Sequence, residues 1–217
     1  MNCKLRWDPC IVHRGDSLDG FLQQYLGRPD RKILLVAGAG FDPRTQAVAA
    51  RLSATKAKIH ALLIEEVRPD PSQKLLARAK ANKAALLKAL TRRQLQRVEV
   101  FGSDNALVGG RNVVKILRQQ GLETTTDVVV DISALSVGMS FPIVRYFFEC
   151  IVHREESVNL HVFVAHAPEL DAGVRAKSGD DPGYVHGFRG RSTLDDARDA
   201  ARLWLPQLVV CQTIISG

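Results

Sequence analysis

Lys32-Ile33-Leu34-Leu35-Val36-Ala37-Gly38-Ala39-Gly40-Phe41-Asp42-Pro43-Arg44-Thr45 carries the plainest structural pattern in the chain. Ile33 to Ala37 is an apolar, branched run of the length of one buried strand. It breaks into Gly38-Ala39-Gly40, where a missing Cβ allows a tight turn and a close approach to the backbone. Phe41-Asp42-Pro43-Arg44 is a polar tip held by a proline, and from Thr45 the residues Ala47, Val48, Ala50, Arg51 and Leu52 take up helical spacing that ends near Thr55. Strand, glycine turn, charged tip and helix form the first βα unit of a parallel α/β sheet. Its turn lies at the carboxyl end of the strand, where open α/β sheets bind ligands.

The alternation continues downstream. Ile59–Ile64 reads as a second strand with Glu65-Glu66-Val67-Arg68-Pro69 as its exit, and residues 71–94 as an alanine- and leucine-rich helix. Gln96–Phe101 reads as a third strand, followed by a loop at 102–105 and a helix from about Gly109 to Gln120, with Gly121 as its C′ residue. Asp127–Ile132 is a fourth strand, whose three consecutive valines suit burial on both faces. A helix over about 139–153 has Pro142 in its first turn, and Asn159–Ala165 is a fifth strand. The aperiodic, polar residues 172–192 read as a long functional loop, Thr193–Trp204 as a helix and Leu208–Ile215 as a sixth strand. Upstream, Leu18, Phe21, Leu22, Tyr25 and Leu26 give a short amphipathic helix. The expectation is a doubly wound, mainly parallel, Rossmann-like α/β sheet of five or six strands with helices on both faces. Residues 1–30 form a lead-in helix packed on it, and 31–217 form one domain.

The composition, 46% hydrophobic and 24% charged over 217 residues, is that of an ordinary globular chain. No apolar run reaches the roughly 20 residues needed to span a bilayer, and the N-terminus has no secretory h-region. The four cysteines, Cys3, Cys10, Cys150 and Cys211, are scattered without a CxxC, which argues against a zinc ribbon or disulfide scaffold. A cytoplasmic location is expected. The net charge of +7 favours anionic partners. Much of it falls between Pro71 and Val98, where Lys74, Arg78, Lys80, Lys83, Lys88, Arg92, Arg93 and Arg97 occur without an acid. This stretch reads as a solvated helix face or, more sharply, as a contact surface for nucleic acid or an acidic protein.

In the usual doubly wound order the first and fourth strands are neighbours, and their exits form the ligand crevice. Here those exits are Gly38 to Arg44 and Asp131 to Ser136. Gly38 and Gly40 would bring backbone N–H groups to an anion, and Arg44 would pair a phosphate bidentately. Phe41 lies in the same loop. Asp42 and Asp131 would accept from ribose hydroxyls or base amino groups, and Ser133 and Ser136 would donate to phosphate. The same residues also have structural uses: Asp42 as a cap, Arg44 as a partner for Asp42 or Asp131, and Ser133 as an N-cap.

Named motifs are incomplete. The dinucleotide fingerprint needs glycine where Pro43 stands, although Glu65 and Glu66 end the second strand where an NAD-binding acid would sit. There is no GxxxxGK[ST], GxSxG, HExxH or paired metal-ligand spacing. No cofactor and no metal are therefore expected. Of the dispersed histidines, His166 lies at a strand exit and His186 in the long loop. Asp42, Asp131 and His166 are the acid–base candidates if the crevice is catalytic.

The run Asp131-Ile132-Ser133-Ala134-Leu135-Ser136-Val137 resembles the strand-four motif of CRISPR-associated Rossmann-fold (CARF) sensor domains: Asp or Asn, any residue, Ser or Thr, three residues, then Lys or Arg. Asp131 and Ser133 match; the basic position is Val137, and Arg145 lies further along the helix. The glycine turn of the first strand is also similar to that family's ligand loop, and GAGFDPR with DIS resembles α/β proteins of prokaryotic anti-phage defence. The resemblance implies a Rossmann-like dimer that binds a cyclic or linear oligonucleotide messenger and regulates an effector. The first expectation is thus a nucleotide-type sensing module, acting as a homo-oligomer or as a subunit of a larger complex, with no membrane association. A nucleotide-processing hydrolase or transferase using the same crevice is the second. A basic scaffold subunit contacting nucleic acid or an acidic partner is the third.

Overall fold

The computed structural model describes residues 10–104, 106–152 and 158–171. The loop at 172–192 with His186, the helix at 193–204, the strand at 208–215, and Cys3 and Cys211 lie outside the described residues. Among the described residues five parallel strands form one sheet: β1 (Lys32–Gly38), β2 (Lys58–Val67), β3 (Arg92–Glu99), β4 (Asp127–Asp131) and β5 (Asn159–Phe163), in the order β3-β2-β1-β4-β5. The helices are α1 (Asp16–Phe21), which runs on into a π turn at Leu22–Leu26, α2 (Ala47–Ser53), α3 (Gln73–Ala89), α4 (Gly109–Leu117), α5 (Val137–Val152) and the short α6 (Pro168–Asp171). Among the described residues no helix is long and apolar enough to cross a membrane.

Alternation along β1 separates two cores. Ile33, Leu35 and Ala37 pack with α2, α3 and the Leu22–Leu26 turn, whereas Leu34 and Val36 pack with Val113 and Leu117 of α4 and Met139, Ile143 and Phe147 of α5. The central strand β4 is buried along its whole length, as its valines require. This is the doubly wound, Rossmann-like arrangement expected from the β1 stretch.

Several boundaries differ from the sequence reading. The basic helix ends at Ala89, and Arg92 and Arg93 open β3 instead of closing α3. β3 is an edge strand with an exposed, polar pattern, so its start carries no apolar signature, and its charges discourage pairing with another chain. Phe101 makes an isolated bridge to Leu107. β2 runs through Glu65 and Glu66 to Val67, because β3 pairs with it that far. α4 ends at Leu117, and Gly121 is not in the left-handed region. Pro142 falls in the second turn of α5, so its missing N–H deprives the Gly138 carbonyl of its helical donor.

The lead-in segment fastens to the amino edge of the sheet through a buried carboxylate. Asp127, with its side chain fully buried, accepts from Thr126 Oγ1 (2.6 Å) and lies 2.9 Å from His161 Nε2 and 3.6 Å from Arg31 Nη1. Asn159 Nδ2 donates to Tyr25 Oη (3.0 Å), and the Arg31 guanidinium sits 4.0 Å from the Tyr25 ring centroid. Asp19 of α1 also pairs with Arg51 of α2. Burial pushes the Asp127 carboxyl up, but hydrogen bonds from His161 and Thr126 and the charges of His161 and Arg31 outweigh it, so the carboxyl lies below its ordinary value.

Candidate functional site at the carboxyl edge

The β1 and β4 exits meet. Ala37 pairs in register with Asp131, and a Cβ on Gly38 would lie 2.7 Å from the Ala134 carbonyl oxygen. Glycine at 38 is therefore fixed by the contact between the two loops, whereas a Cβ on Gly40 would clear that oxygen by 3.9 Å.

The polar tip after Gly40 is built by its own residues. Asp42 is extended (φ −64°, ψ 132°) and caps a 3₁₀ turn at Pro43–Gln46 by accepting from Arg44 N (2.8 Å). The Arg44 guanidinium closes on the same carboxylate through Nε (2.9 Å) and Nη2 (2.8 Å). Hydrogen bonds from Arg44 hold the Asp42 carboxyl below its ordinary value against partial burial, with a further contribution from the charge of Arg78 on α3. Buried Thr45 donates from Oγ1 to the Asp42 carbonyl (2.6 Å). From α3, Asn82 Nδ2 donates to the carbonyls of Gly40 and Asp42, each at 2.9 Å, while Asn82 Oδ1 accepts from Gln46 Nε2 (3.1 Å).

The β4 exit is turned inward. Asp131 is 1% exposed. It accepts from Ser133 N (3.0 Å) and Ser133 Oγ, in an Asx-type turn. Ser133 Oγ also accepts from Ala165 N (2.8 Å), tying the β4 exit to the β5 exit. Burial pushes the Asp131 carboxyl up; the Ser133 hydrogen bonds oppose this and the negative charge of Asp42 adds to it. At the start of α5, Ser136 N donates to Glu66 Oε1 (2.7 Å), so a carboxylate from the end of β2 reaches the first turn of that helix. Val137, at the position that is basic in the CARF motif, is 59% exposed.

Gly38, Gly40, Phe41, Asp42, Arg44, Asp131, Ser133 and Ser136 thus gather at one edge, but in two groups. Gly40, Phe41, Asp42 and Arg44 form the outer loop, with Phe41 exposed. Asp131 and Ser133 brace the chain from within. His166 is exposed between β5 and α6. On α3, Lys74, Arg78, Lys80 and Lys88 are exposed, and Arg78 is near enough to Asp42 to shift it. Lys83 pairs with Glu65 (2.8 Å), and Arg93 donates to the carbonyls of Leu90 (2.8 Å) and Thr91 (3.2 Å). Among the described residues no cluster of histidine, cysteine and acidic side chains is arranged to hold a metal. A cavity of about 570 Å³ lies at the β3 exit, lined by Gly102, Ser103, Asp104, Leu107, Val108 and Arg111.

Asn82 escaped the sequence reading, and Glu66, read there only as a strand-two exit acid, serves instead as a partner of the Ser136 amide. Asn82 did leave a signal: with Leu86, one helical turn on, it is the buried side of an Ala- and Lys-rich helix. A polar residue on that side needs a partner inside. The bond made by Glu66 left none, because its partner is a backbone amide 70 residues away. Comparison with known proteins gives no match, neither to a protein-family model nor to a curated protein.

Proposed function

We propose that the chain is a binding and sensing module for a nucleotide-derived anion, held at the carboxyl edge of the sheet beside the β1 and β4 exits. The observation that carries this reading is their contact at the point where the strand order reverses, with Gly38 against Ala134. Arg44 and the exposed Arg78 supply positive charge, and Phe41 supplies an exposed ring against which a base can stack. The phosphate would compete with the Asp42 carboxylate for Arg44, so binding would loosen a pair that locks the loop. The burial of Asp131 favours sensing over turnover, since a carboxyl held inside by Ser133 is withdrawn from a substrate. The resemblance to CARF domains favours an oligonucleotide messenger and a regulatory role in prokaryotic defence.

The test is a thermal-shift screen of nucleoside phosphates, cyclic dinucleotides, and linear and cyclic oligoadenylates, with the ligand recovered and analysed afterwards. A ligand at about 100 times its Kd adds about 2.7 kcal/mol, or roughly 5–10 °C in Tm for a chain of this size. Arg44→Ala and Arg78→Ala should each reduce the shift, and the ligand should be recovered intact. No shift from any compound overturns the proposal. A shift accompanied by consumption of the ligand replaces it with the hydrolase or transferase reading.

A further inference from the structure

A second surface lies between α4 and α5. Gly110, Val114 and Arg118 recur along α4 at every fourth position, opposite Pro142, Arg145, Tyr146 and Glu149 of α5. Together they line a groove of about 460 Å³. It exists because the helices touch through glycine: a Cβ on Gly110 would lie 2.8 Å from Pro142 Cγ and 2.9 Å from the Gly138 carbonyl oxygen. The floor is apolar: Gly110 and Pro142 are buried in it, and Val114 and Tyr146 stay half-buried. One wall carries Arg111, Lys115 and Arg118, all exposed on one face of α4 and spread over about 10 Å of helix. Among the described residues none of these three has an ion-pair partner. On the opposite wall Arg145 pairs with Glu149 (2.8 Å).

We propose that this groove docks an acidic amphipathic helix of a partner protein. The floor decides between polyanions. A phosphodiester backbone has no apolar stripe to cover the half-buried Val114 and Tyr146, whereas an acidic helix offers apolar side chains and carboxylates with the same three- and four-residue period as Arg111, Lys115 and Arg118. The charge is complementary, and the apolar stripe covers surface that otherwise faces water.

The probe is a fluorescein-labelled peptide of about four helical turns, with leucine at helical spacing and glutamate elsewhere, followed by anisotropy. The peptide should bind, and its lysine-for-glutamate counterpart should not. Combining Arg111→Glu, Lys115→Glu and Arg118→Glu should weaken binding by about tenfold or more. These side chains are exposed, so the circular dichroism spectrum should not change. Val114→Gln, which keeps every charge, should also weaken binding, because the floor contributes. Lys74→Glu with Arg78→Glu on α3 should leave it unchanged. Absence of binding overturns the proposal, as does equal binding by the charge-reversed protein. Displacement by oligothymidylate at lower concentration than by unlabelled peptide also overturns it and assigns the groove to nucleic acid.

Discussion

Replacing Asn82 tests how the carboxyl-edge loop is held. Its two donors go to carbonyl oxygens, which cannot themselves donate, so the amide has only one workable orientation. In Asn82→Ala the Asp42 carbonyl keeps Thr45 N (3.1 Å) and Thr45 Oγ1 (2.6 Å) and loses one bond of about 1 kcal/mol. The Gly40 carbonyl loses the donor that satisfies it, at about 1–3 kcal/mol. Alanine's better helix propensity returns about 0.5 kcal/mol. The net loss is about 2 kcal/mol, which lowers the urea midpoint by about 1 M at a slope of about 2 kcal/mol/M. Asn82→Asp has the same shape but turns a carboxylate toward both carbonyls, so near neutral pH it should be at least as destabilising. Equilibrium urea unfolding followed by circular dichroism measures both. An alanine variant within about 0.5 kcal/mol of the parent, well under one lost hydrogen bond, or an Asn82→Asp variant more stable than Asn82→Ala, would show that Asn82 does not hold the loop.

The two buried strand-four carboxyls should show opposite pH signatures. Asp127 is shifted down, so its contribution is complete above the unfolded value of about 3.9 and is lost as pH falls through the folded pKa. Asp127→Asn should cost about 3 kcal/mol near neutral pH, with the difference closing in acid. Asp131 is shifted up, so its ionisation costs stability above the folded pKa and that cost vanishes below the unfolded one. Asp131→Asn should therefore fall no more than about 1 kcal/mol below the parent near neutral pH, and any relative gain should fade on acidification; urea titrations across pH check both signs. Gly38→Ala should cost about 1–3 kcal/mol, because its Cβ meets the Ala134 backbone, whereas Gly40→Ala should be much milder, as thermal melts of the pair will show.

The interior of the fold was legible because burial on both faces writes itself as continuous apolar runs. Ile33–Ala37, Ile59–Ile64 and the three valines of β4 all lie in strands of the observed sheet. The misplaced boundaries fall where that signal stops. Arg92 and Arg93 look helical by composition and are strand by pairing, since only β2 beside them makes an edge strand of such a sequence. At the candidate site the meeting of the two loops was legible from strand order alone. The inward use of Asp131 and Ser133 was not, because sequence states which polar groups are present and not which way they face. Of the two carboxylate partners open to Arg44, Asp42 and Asp131, the structure displays Asp42.

The anchorage of the lead-in helix has a consequence for synthesis on the ribosome. Tyr25 emerges early, yet Asn159, which bonds to it, follows 134 residues later. At about 5–20 residues per second that interval is roughly 7–27 s. Throughout it Leu22 and Leu26 can settle on β1 and α2, while the phenol and the Arg31 guanidinium wait for Asp127 and β5. The segment from Asp16 to Arg31 is thus completed late, and a nascent chain halted before β5 would carry that segment only half attached.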